Sequence, residues 1–419
     1  MGEDAANALR FIGLCLAPLD QARRPMLADA AAKVTDWERA LLLSGAKHVT
    51  PTVYACLRDS GLLSAVPAPV AARFEKLYVM NASVSALRLH QARKVTSILR
   101  ERGCRMLYFK GASLVMARDY PDAGRRMFSD VDVLAHGSSR DMVRAAFKEA
   151  GGFTEQPSQV MEDWEVTSWI DEFSNELEVH WGLKPHNGAA AGLAEQRLMA
   201  NAYELEYRGR RVLVPSPEDR FIQAALHFTA HHYFDSSYFM TGISDLSHVL
   251  AAHGLKFDWD RIVEGARAER MLEHLAVAAG LAYELTRHEP LHYALAAMEE
   301  RAPGLRDTAA PLVASLSRLA LKPWTFYSFY ERRLFVKKSW GEWARYVFAA
   351  MKRRIVHPKQ APATPKHPGR DYEGITGEPR HERRLGDADF LRYLLALYRF
   401  DRRIAYQIKI GGEGREDGG

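Results

Sequence analysis

The sequence predicts a mixed α/β (α+β) core that lies between two helical regions. Short apolar runs rich in strand-forming residues are concentrated between about residues 105 and 215 of the 419. On both sides of this stretch, apolar residues recur at the three- and four-residue spacing of helices. Because a single hydrophobic core stops growing at about 250–300 residues, we expect more than one packed unit.

The helical regions begin and end at recognisable signals. The first, residues 1–104, closes with a long periodic stretch followed by Gly103, a residue favoured after a helix C-terminus. The second, residues 216–320, opens with Ser216 as a capping residue and Pro217 in the first turn. We divide the remaining chain into a basic aromatic helical segment, a proline-rich linker, and a terminal helix with a disordered tail: residues 321–356, 357–386 and 387–419.

Residues 105–215 carry the runs from which we predict a mixed sheet. Short apolar or alternating runs bounded by turn-forming residues are typical of strands. The segment 138–150 has the spacing of a helix that returns across the sheet. The runs predict two single strands and two hairpins: Met106–Phe109, Val131–Leu134, Trp164–Ile170 with Glu176–Trp181, and Tyr203–Tyr207 with Val212–Val214.

Composition excludes several protein classes. Apolar residues make up 47% of the chain and charged residues 26%, a balance that excludes wholesale disorder. No uncharged apolar run reaches the about 18 residues of a spanning helix, and the acidic N-terminus predicts no signal peptide. Cys15, Cys56 and Cys104 lie far apart in sequence, which argues against a disulfide framework or a structural zinc site. We therefore expect a cytoplasmic protein.

The net charge of +5 is concentrated in one segment. Residues 322–359 hold ten Lys or Arg against two acidic residues, so the rest of the chain is slightly acidic. Aromatic residues are interleaved with these bases, a composition that fits the anionic inner face of a membrane or RNA. The alternative is a pair of amphipathic helices packed on the body with a solvated basic face.

The sharpest chemical feature is the pair Asp130 and Asp132 in an otherwise apolar run. Residues two apart in a strand point to the same side, so the two carboxylates would form a pair. Burying two acids together is costly without a cation, and Mg²⁺ prefers such hard oxygen ligands. The alternative is an edge strand with one solvated face.

A second strand supplies a third carboxylate. In the run from Asn175 to Trp181, Glu178 and His180 share the face opposite Leu177 and Val179. If this strand neighbours the strand of the paired aspartates, three acids lie together. Three such carboxylates can hold two metals about 4 Å apart, an arrangement that serves in-line displacement at phosphorus. The alternative is a half-exposed hairpin strand with its polar residues outward.

A turn with the sequence Phe109-Lys110-Gly111-Ala112-Ser113 lies between the first strand and a helical segment. Glycine lets the backbone approach a phosphate, a helix N-terminus favours an anion, and lysine neutralises one. The spacing is neither a Walker loop nor GxGxxG.

The order of these motifs resembles a known family. The order is Lys110-Gly111 with Leu114, then Tyr120, then Arg126 with Asp130 and Asp132, then Glu178-Val179-His180-Trp181. It resembles the uncharacterised bacterial branch of the nucleotidyltransferase superfamily, which has the polymerase-β-like fold. The resemblance covers about residues 35–255.

The resemblance implies that Asp130 and Asp132 bind metal. Glu178 would be the third carboxylate and would also activate the acceptor nucleophile. The implied reaction transfers a nucleoside monophosphate from an NTP to an acceptor, with Mg²⁺ or Mn²⁺ as cofactor. The acceptor stays open between a small molecule, RNA and a protein, and we expect no recognition of a DNA sequence.

The nucleotide contacts depart from the usual pattern of the superfamily. A Gly-Ser pair is common in its phosphate turn, whereas this sequence has Lys-Gly-Ala-Ser at residues 110–113. We therefore expect Lys110 to contact phosphate, with Gly111 and Ser113 beside it. Arg126 either binds phosphate as well or balances the nearby carboxylates.

Three further residues are candidates for the cleft. His227 and His231 lie one turn apart on a predicted helix, but no glutamate follows His227 as a zincin motif requires. Core or surface histidines are therefore favoured over a zinc site. A milder interpretation places His227, His231 and Asp245 at a cleft facing the sheet together with His180, in contact with nucleotide or acceptor.

The sequence thus favours a metal-dependent nucleotidyltransferase over two alternatives. One is a catalytically silent partner protein of the same fold, although a silent fold has no physical need for three clustered carboxylates. The other is a membrane-associated helper in surface-polymer or peptide assembly, based on residues 322–359.

Overall fold

The computed structural model describes residues 2–322 and 388–413, except for short gaps. The gaps are residues 157–158, 162–163, 184–188, 190–191, 233, 235–237 and 255. The α/β (α+β) class predicted from sequence is confirmed, with a mixed sheet between helical regions. The basic aromatic segment beyond Lys322, the proline-rich linker and the tail after Glu413 lie outside the described residues.

The chain before the first strand is helical, as predicted. Its longest helix has Pro69 in the first turn and stops just before Gly103, whose φ of +72° is the left-handed geometry that favours glycine. The helices are α1 (Gly2–Cys15), α2 (Arg24–Ala32), α3 (Trp37–Ala46), α4 (Thr50–Ser60) and α5 (Ala68–Glu101).

The central region contains every predicted strand and both predicted hairpins. The strands are β1 (Arg105–Tyr108), β2 (Asp130–His136), β3 (Phe153–Glu155), β4 (Gln159–Met161), β5 (Trp164–Asp171), β6 (Glu176–His180), β7 (Tyr203–Tyr207) and β8 (Arg210–Val214). The helices between them are α6 (Lys110–Met116), α7 (Arg140–Ala150) and α8 (Leu193–Asn201).

The strands form one mixed sheet in the order β3-β5-β6-β2-β1-β8-β7, and β4 also pairs with β5. Strand β2 is antiparallel to β1 and parallel to β6. Strand β1 is parallel to β8. The β5–β6 and β7–β8 pairs are antiparallel hairpins.

The two faces of the sheet have different environments because side chains alternate along each strand. Val131 and Val133 of β2 belong to a buried cluster that includes Leu99 of α5 and Phe147 of α7. The opposite face carries a small apolar cluster, including Leu134, and the acidic residues of β2 and β6. The acids therefore lie on the face away from α5 and α7.

The chain after the sheet is helical again. Ser216 caps the first helix as predicted, since its Oγ accepts from the backbone N–H of Asp219 at 3.2 Å. The helices are α9 (Pro217–Leu226), a π-helical turn (His227–His231), α10 (Phe239–His253), α11 (Trp259–Ala268), α12 (Leu272–Thr286), α13 (Glu289–Arg301), α14 (Leu305–Ala320) and α15 (Ala388–Glu413). None of the described helices has the length and hydropathy needed to cross a membrane.

The helices before and after the sheet share one hydrophobic cluster. Phe11 of α1 and Phe74 of α5 belong to it together with Leu275 of α12 and Leu397 of α15. The two helical regions separated along the chain are therefore joined in space. The C-terminal half of α5 instead packs on the sheet, so this helix connects both cores.

Helix α5 also fixes the loop that leads into β2, residues 117–129. The side-chain amide of Asn81 donates to the carbonyl of Gly124 at 2.8 Å, and Arg88 donates to the carbonyl of Phe128. Asn81 and Arg88 are two helical turns apart and share one face of α5. The position of β2 therefore depends on a helix that packs against the back of the sheet.

Candidate active site

Adjacent parallel strands bring the acidic residues together. In the β2–β6 register, Asp130 is opposite Glu176 and Asp132 is opposite Glu178. The prediction that the two acidic strands are neighbours is thus confirmed. Neighbouring strands lie about 4.8 Å apart, so the side chains of each pair are within contact range.

Asp132 lies at the centre of the group, with its side chain only 4% exposed. Its Oδ1 accepts hydrogen bonds from Nζ of Lys110 and from Nε2 of His180, the latter over 2.9 Å. The same nitrogen of His180 lies 3.5 Å from Oε2 of Glu178. Within the described residues, Asp132, Glu178 and His180 are the group of potential metal-binding side chains whose ligand atoms all lie within 4.8 Å of one another.

This group differs from the metal set expected from sequence in one member. The geometric group contains His180 and does not contain Asp130. Asp130 lies on the same face and is half-buried, and its Oδ2 accepts from the hydroxyl of Ser129 at 2.8 Å. Strand alternation predicted the shared face correctly, but it does not specify which side chains are in direct contact.

Charges in this group shift one another's pKa values in opposite directions. Burial, with the carboxylates of Asp132 and Glu178, raises the pKa of Asp130 to about 7. Burial also acts to raise the pKa of Asp132, but the Lys110 ammonium and the hydrogen bond from His180 outweigh it and hold that pKa far below its usual range. For Lys110, burial acts to lower the pKa, but the carboxylates outweigh it and the pKa is raised. At neutral pH, Lys110 and Asp132 are therefore an ion pair.

The turn at the start of α6 is built differently from the sequence expectation. Gly111 is required by a close approach, since a Cβ at this position would lie 2.9 Å from Cζ of Arg126. The hydroxyl of Ser113 is buried and donates to the carbonyl of Lys110 at 2.9 Å. In this structure Ser113 therefore stabilises the turn and does not face the cleft, contrary to its expected phosphate contact.

Arg126 forms a buried ion pair that sequence spacing does not reveal. Its Nε and Nη2 donate to the two carboxylate oxygens of Asp245 at 2.9 and 2.8 Å. The hydroxyl of Tyr120 donates to the same carboxylate at 2.7 Å. Arg126 is paired with neither of the nearby carboxylates, Asp130 and Asp132, that the charge-balance interpretation gave it; its partner is Asp245 on α10. Asp245 is accordingly buried in the body and not at the cleft where we expected it.

A cavity of about 90 Å³ is lined by Lys110 and His180, two residues that donate to Asp132. Lys110 and His180 line its inner side, and His227 and His231 line it from the π-helical turn, as the cleft interpretation predicted. The remaining wall is mainly apolar, and it includes Gln223 of α9. The sequence analysis missed most of this wall: Phe109, Leu183, Ala194, Arg197, Leu198, Gln223, Leu226 and Glu269.

Two histidines at the π-helical turn, His227 and His232, have pKa values below their usual range. Burial, with the nearby His232 and Lys110, lowers the pKa of His227 well below its usual range. Burial and Lys110 likewise lower the pKa of His232 to about 3. Nε2 of His232 lies 3.1 Å from Nε2 of His227, so one of these nitrogens donates to the other. Lys110 is therefore the cation beside the carboxylates, and these imidazoles add no positive charge.

Carboxylates gathered beside a lysine suit chemistry at phosphate, and nucleotidyl transfer is the class that the resemblance of the motif order implies. A family model described as "Uncharacterised nucleotidyltransferase" matches residues 33–287, the stretch from just after α2 to just after α12. The chain belongs to this family. Comparisons with curated proteins and with solved structures each found no match.

The two aspartates of β2 should respond in opposite ways to loss of charge at neutral pH. Asp132→Asn removes the ionised partner of Lys110, so we expect it to lower the free energy of unfolding by about 2 kcal/mol or more. Asp130→Asn removes a carboxylate whose ionised form its neighbours disfavour, so we expect no loss and a small gain. Chemical denaturation in buffer containing a chelator measures both values. A larger loss for Asp130→Asn would contradict this charge distribution.

Proposed function

We propose that this protein transfers a nucleoside monophosphate from an NTP to an acceptor and releases pyrophosphate. The observation that carries the proposal is the side-by-side position of Asp132 and Glu178 on adjacent parallel strands, with Asp130 on the same face. An oxygen of the acceptor bonds to the α-phosphorus while the bond from that phosphorus to pyrophosphate breaks. Positioning and charge neutralisation account for most catalysis of this kind.

The donor set supports a divalent cation, Mg²⁺ or Mn²⁺, bound by carboxylate oxygens. A carboxylate only accepts hydrogen bonds, so Nε2 of His180, 2.9 Å from Asp132, carries the proton of that contact. A protonated nitrogen has no lone pair for a metal, so His180 orients Asp132 while Asp132, Glu178 and Asp130 supply the ligands. When bound, the cation neutralises phosphate oxygens, and three carboxylates are enough for a two-metal arrangement.

Exposure distinguishes the roles of the individual side chains. The side chain of Glu178 is 24% exposed whereas that of Asp132 is 4% exposed, so Glu178 is the carboxylate that an acceptor can reach. We assign to Glu178 the proton that leaves the acceptor oxygen. Lys110 reaches the cavity and is assigned to the nucleotide phosphates. Arg126 is assigned an indirect role, because its guanidinium packs against the turn at Gly111 and anchors it to α10.

The lining of the cavity fits an uncharged part of a ligand better than it fits further phosphate groups. Burial holds the pKa of His227 well below its usual range, so this imidazole is neutral at physiological pH, and Arg197 is already paired with Glu269 at 2.6 Å. We assign this cavity to a neutral part of the nucleotide or of the acceptor, with Gln223 available to form a hydrogen bond. The acceptor class stays open between a small molecule, RNA and a protein.

Incubation with labelled nucleotides tests the proposed reaction. Each α-labelled NTP, supplied with Mg²⁺ or Mn²⁺ and cell extract, should place label on an acceptor when the wild-type protein is present. Glu178→Gln should reduce that transfer by about 100-fold or more, because it removes the proposed base. Glu176→Gln is the matched control, since Glu176 lies two residues earlier on the same face and should keep near wild-type transfer.

The silent-partner alternative gives a different outcome in the same assay. No label would move with any NTP, although the nucleotide could still bind. Equal transfer by Glu178→Gln and wild-type protein would remove Glu178 from the mechanism while leaving the reaction itself in place.

The basic composition of residues 322–359 supports a separate proposal, that this segment binds the anionic inner face of a membrane. The segment carries eight net positive charges in sequence, whereas the rest of the chain is slightly acidic. Binding to anionic vesicles should weaken steeply with salt, since such attraction is screened within about 8 Å at physiological ionic strength. Its aromatic residues should leave a salt-resistant remainder. Binding to RNA in place of vesicles, or to neither at low salt, would contradict the membrane contact.

A further inference from the structure

Lys110 is held beside the carboxylates by more than one contact. Its ammonium forms an ion pair with Asp132, and the two side chains are 18% and 4% exposed. The ammonium also lies 5.2 Å from the ring centroid of Phe109, within cation–π range. The backbone N–H of Phe109 donates to the carbonyl of Asp132 at 3.2 Å, which keeps the turn beside β2.

The backbone geometry at position 110 would suit another residue type better than lysine, so the lysine side chain itself must be needed here. Its φ is +51°, in the left-handed region that costs a non-glycine residue about 1 kcal/mol. Glycine or asparagine would adopt this φ more easily. The site therefore carries a local strain in order to place an ammonium at Asp132.

The ammonium of Lys110 thus already neutralises the carboxylate of Asp132, which is one of the groups that would bind a cation. A divalent cation that binds Asp132 must displace the ammonium or share the carboxylate with it, and like charges at contact distance repel strongly. The displaced ammonium needs another anion within reach of the cavity that it lines. The polyphosphate of a nucleotide is such an anion.

We propose that Lys110 is an internal counter-ion that a metal and a polyphosphate displace together. Without substrate, its ammonium neutralises Asp132 and keeps free divalent cations weakly bound. With a metal–polyphosphate complex bound, Asp132 would hold the metal and the ammonium of Lys110 would pair with the phosphates. Metal and polyphosphate therefore raise each other's affinity, as linkage requires. This inference rests on the proposed function, because it assumes that the site receives a metal and a phosphate chain.

Binding of Mn²⁺ to the full chain, measured by electron paramagnetic resonance, tests whether Lys110 weakens the binding of a free divalent cation. Lys110→Met and Lys110→Gln remove the charge, and each should bind Mn²⁺ alone on the order of tenfold more tightly than wild type. Lys110→Arg keeps the charge and should stay near wild type. Lys94→Met is the matched control, because Lys94 pairs with Glu172 at the surface, 3.2 Å away. Unchanged or weaker Mn²⁺ binding in both neutral variants would overturn the counter-ion role.

Binding of a preformed complex of Mn²⁺ and inorganic tripolyphosphate, measured by calorimetry, tests whether Lys110 moves to the phosphates. The neutral variants should bind this complex more weakly than wild type, although they bind Mn²⁺ alone more tightly. This reversal separates an exchanging lysine from one that only fills space. Equal or tighter binding of the complex by the neutral variants would overturn the exchange.

These binding experiments and the labelling assay can fail independently of each other. If the neutral variants show the reversal but no NTP donates label, the exchange stands and the proposed transfer fails. If label is transferred but Mn²⁺ binding does not depend on Lys110, the transfer stands and the exchange fails.

Discussion

Repulsion among neighbouring carboxylates is the constraint that shapes the rest of this site. Asp130, Asp132 and Glu178 share one face of two hydrogen-bonded strands, so their charges cannot be separated without breaking the sheet. The negative charge of Asp132 is stabilised by two surrounding groups: the ammonium of Lys110 and the N–H of His180. Burial together with the carboxylates of Asp132 and Glu178 raises the pKa of Asp130 to about 7. A cation that enters the site relieves this repulsion, and an anionic chain stabilises the lysine it displaces.

The scaffold behind the face holds this charge cluster in place from a distance. Helix α5 belongs to the helical core at one end and to the sheet core at the other, and Asn81 and Arg88 fix the loop before β2. The buried pair of Arg126 and Asp245 ties the same loop to α10. Arg126 also packs against Gly111, so the loop and the lysine turn are in direct contact.

Local sequence patterns predicted the elements and the faces of this fold, but not its long-range contacts. Alternation in β2 and β6 was enough to place three acids on one face, and the hairpins followed from turn residues. The contact of Arg126 with Asp245 joins positions 119 residues apart and has no signal in spacing. Ser113 was assigned to phosphate because its hydroxyl is in the expected turn, yet the hydroxyl bonds within its own helix. Most of the cavity wall comes from separate helices, so only packing reveals it.

Anomalous diffraction from crystals of the full chain with Mn²⁺ and a non-hydrolysable NTP analogue tests the central claim most directly. The account predicts manganese bonded to oxygens of Asp132 and Glu178, with the ammonium of Lys110 on the polyphosphate. The imidazole of His180 should remain hydrogen-bonded to Asp132 and unbound to metal. Manganese elsewhere in the protein, or nucleotide bound while Lys110 still pairs with Asp132, would contradict it.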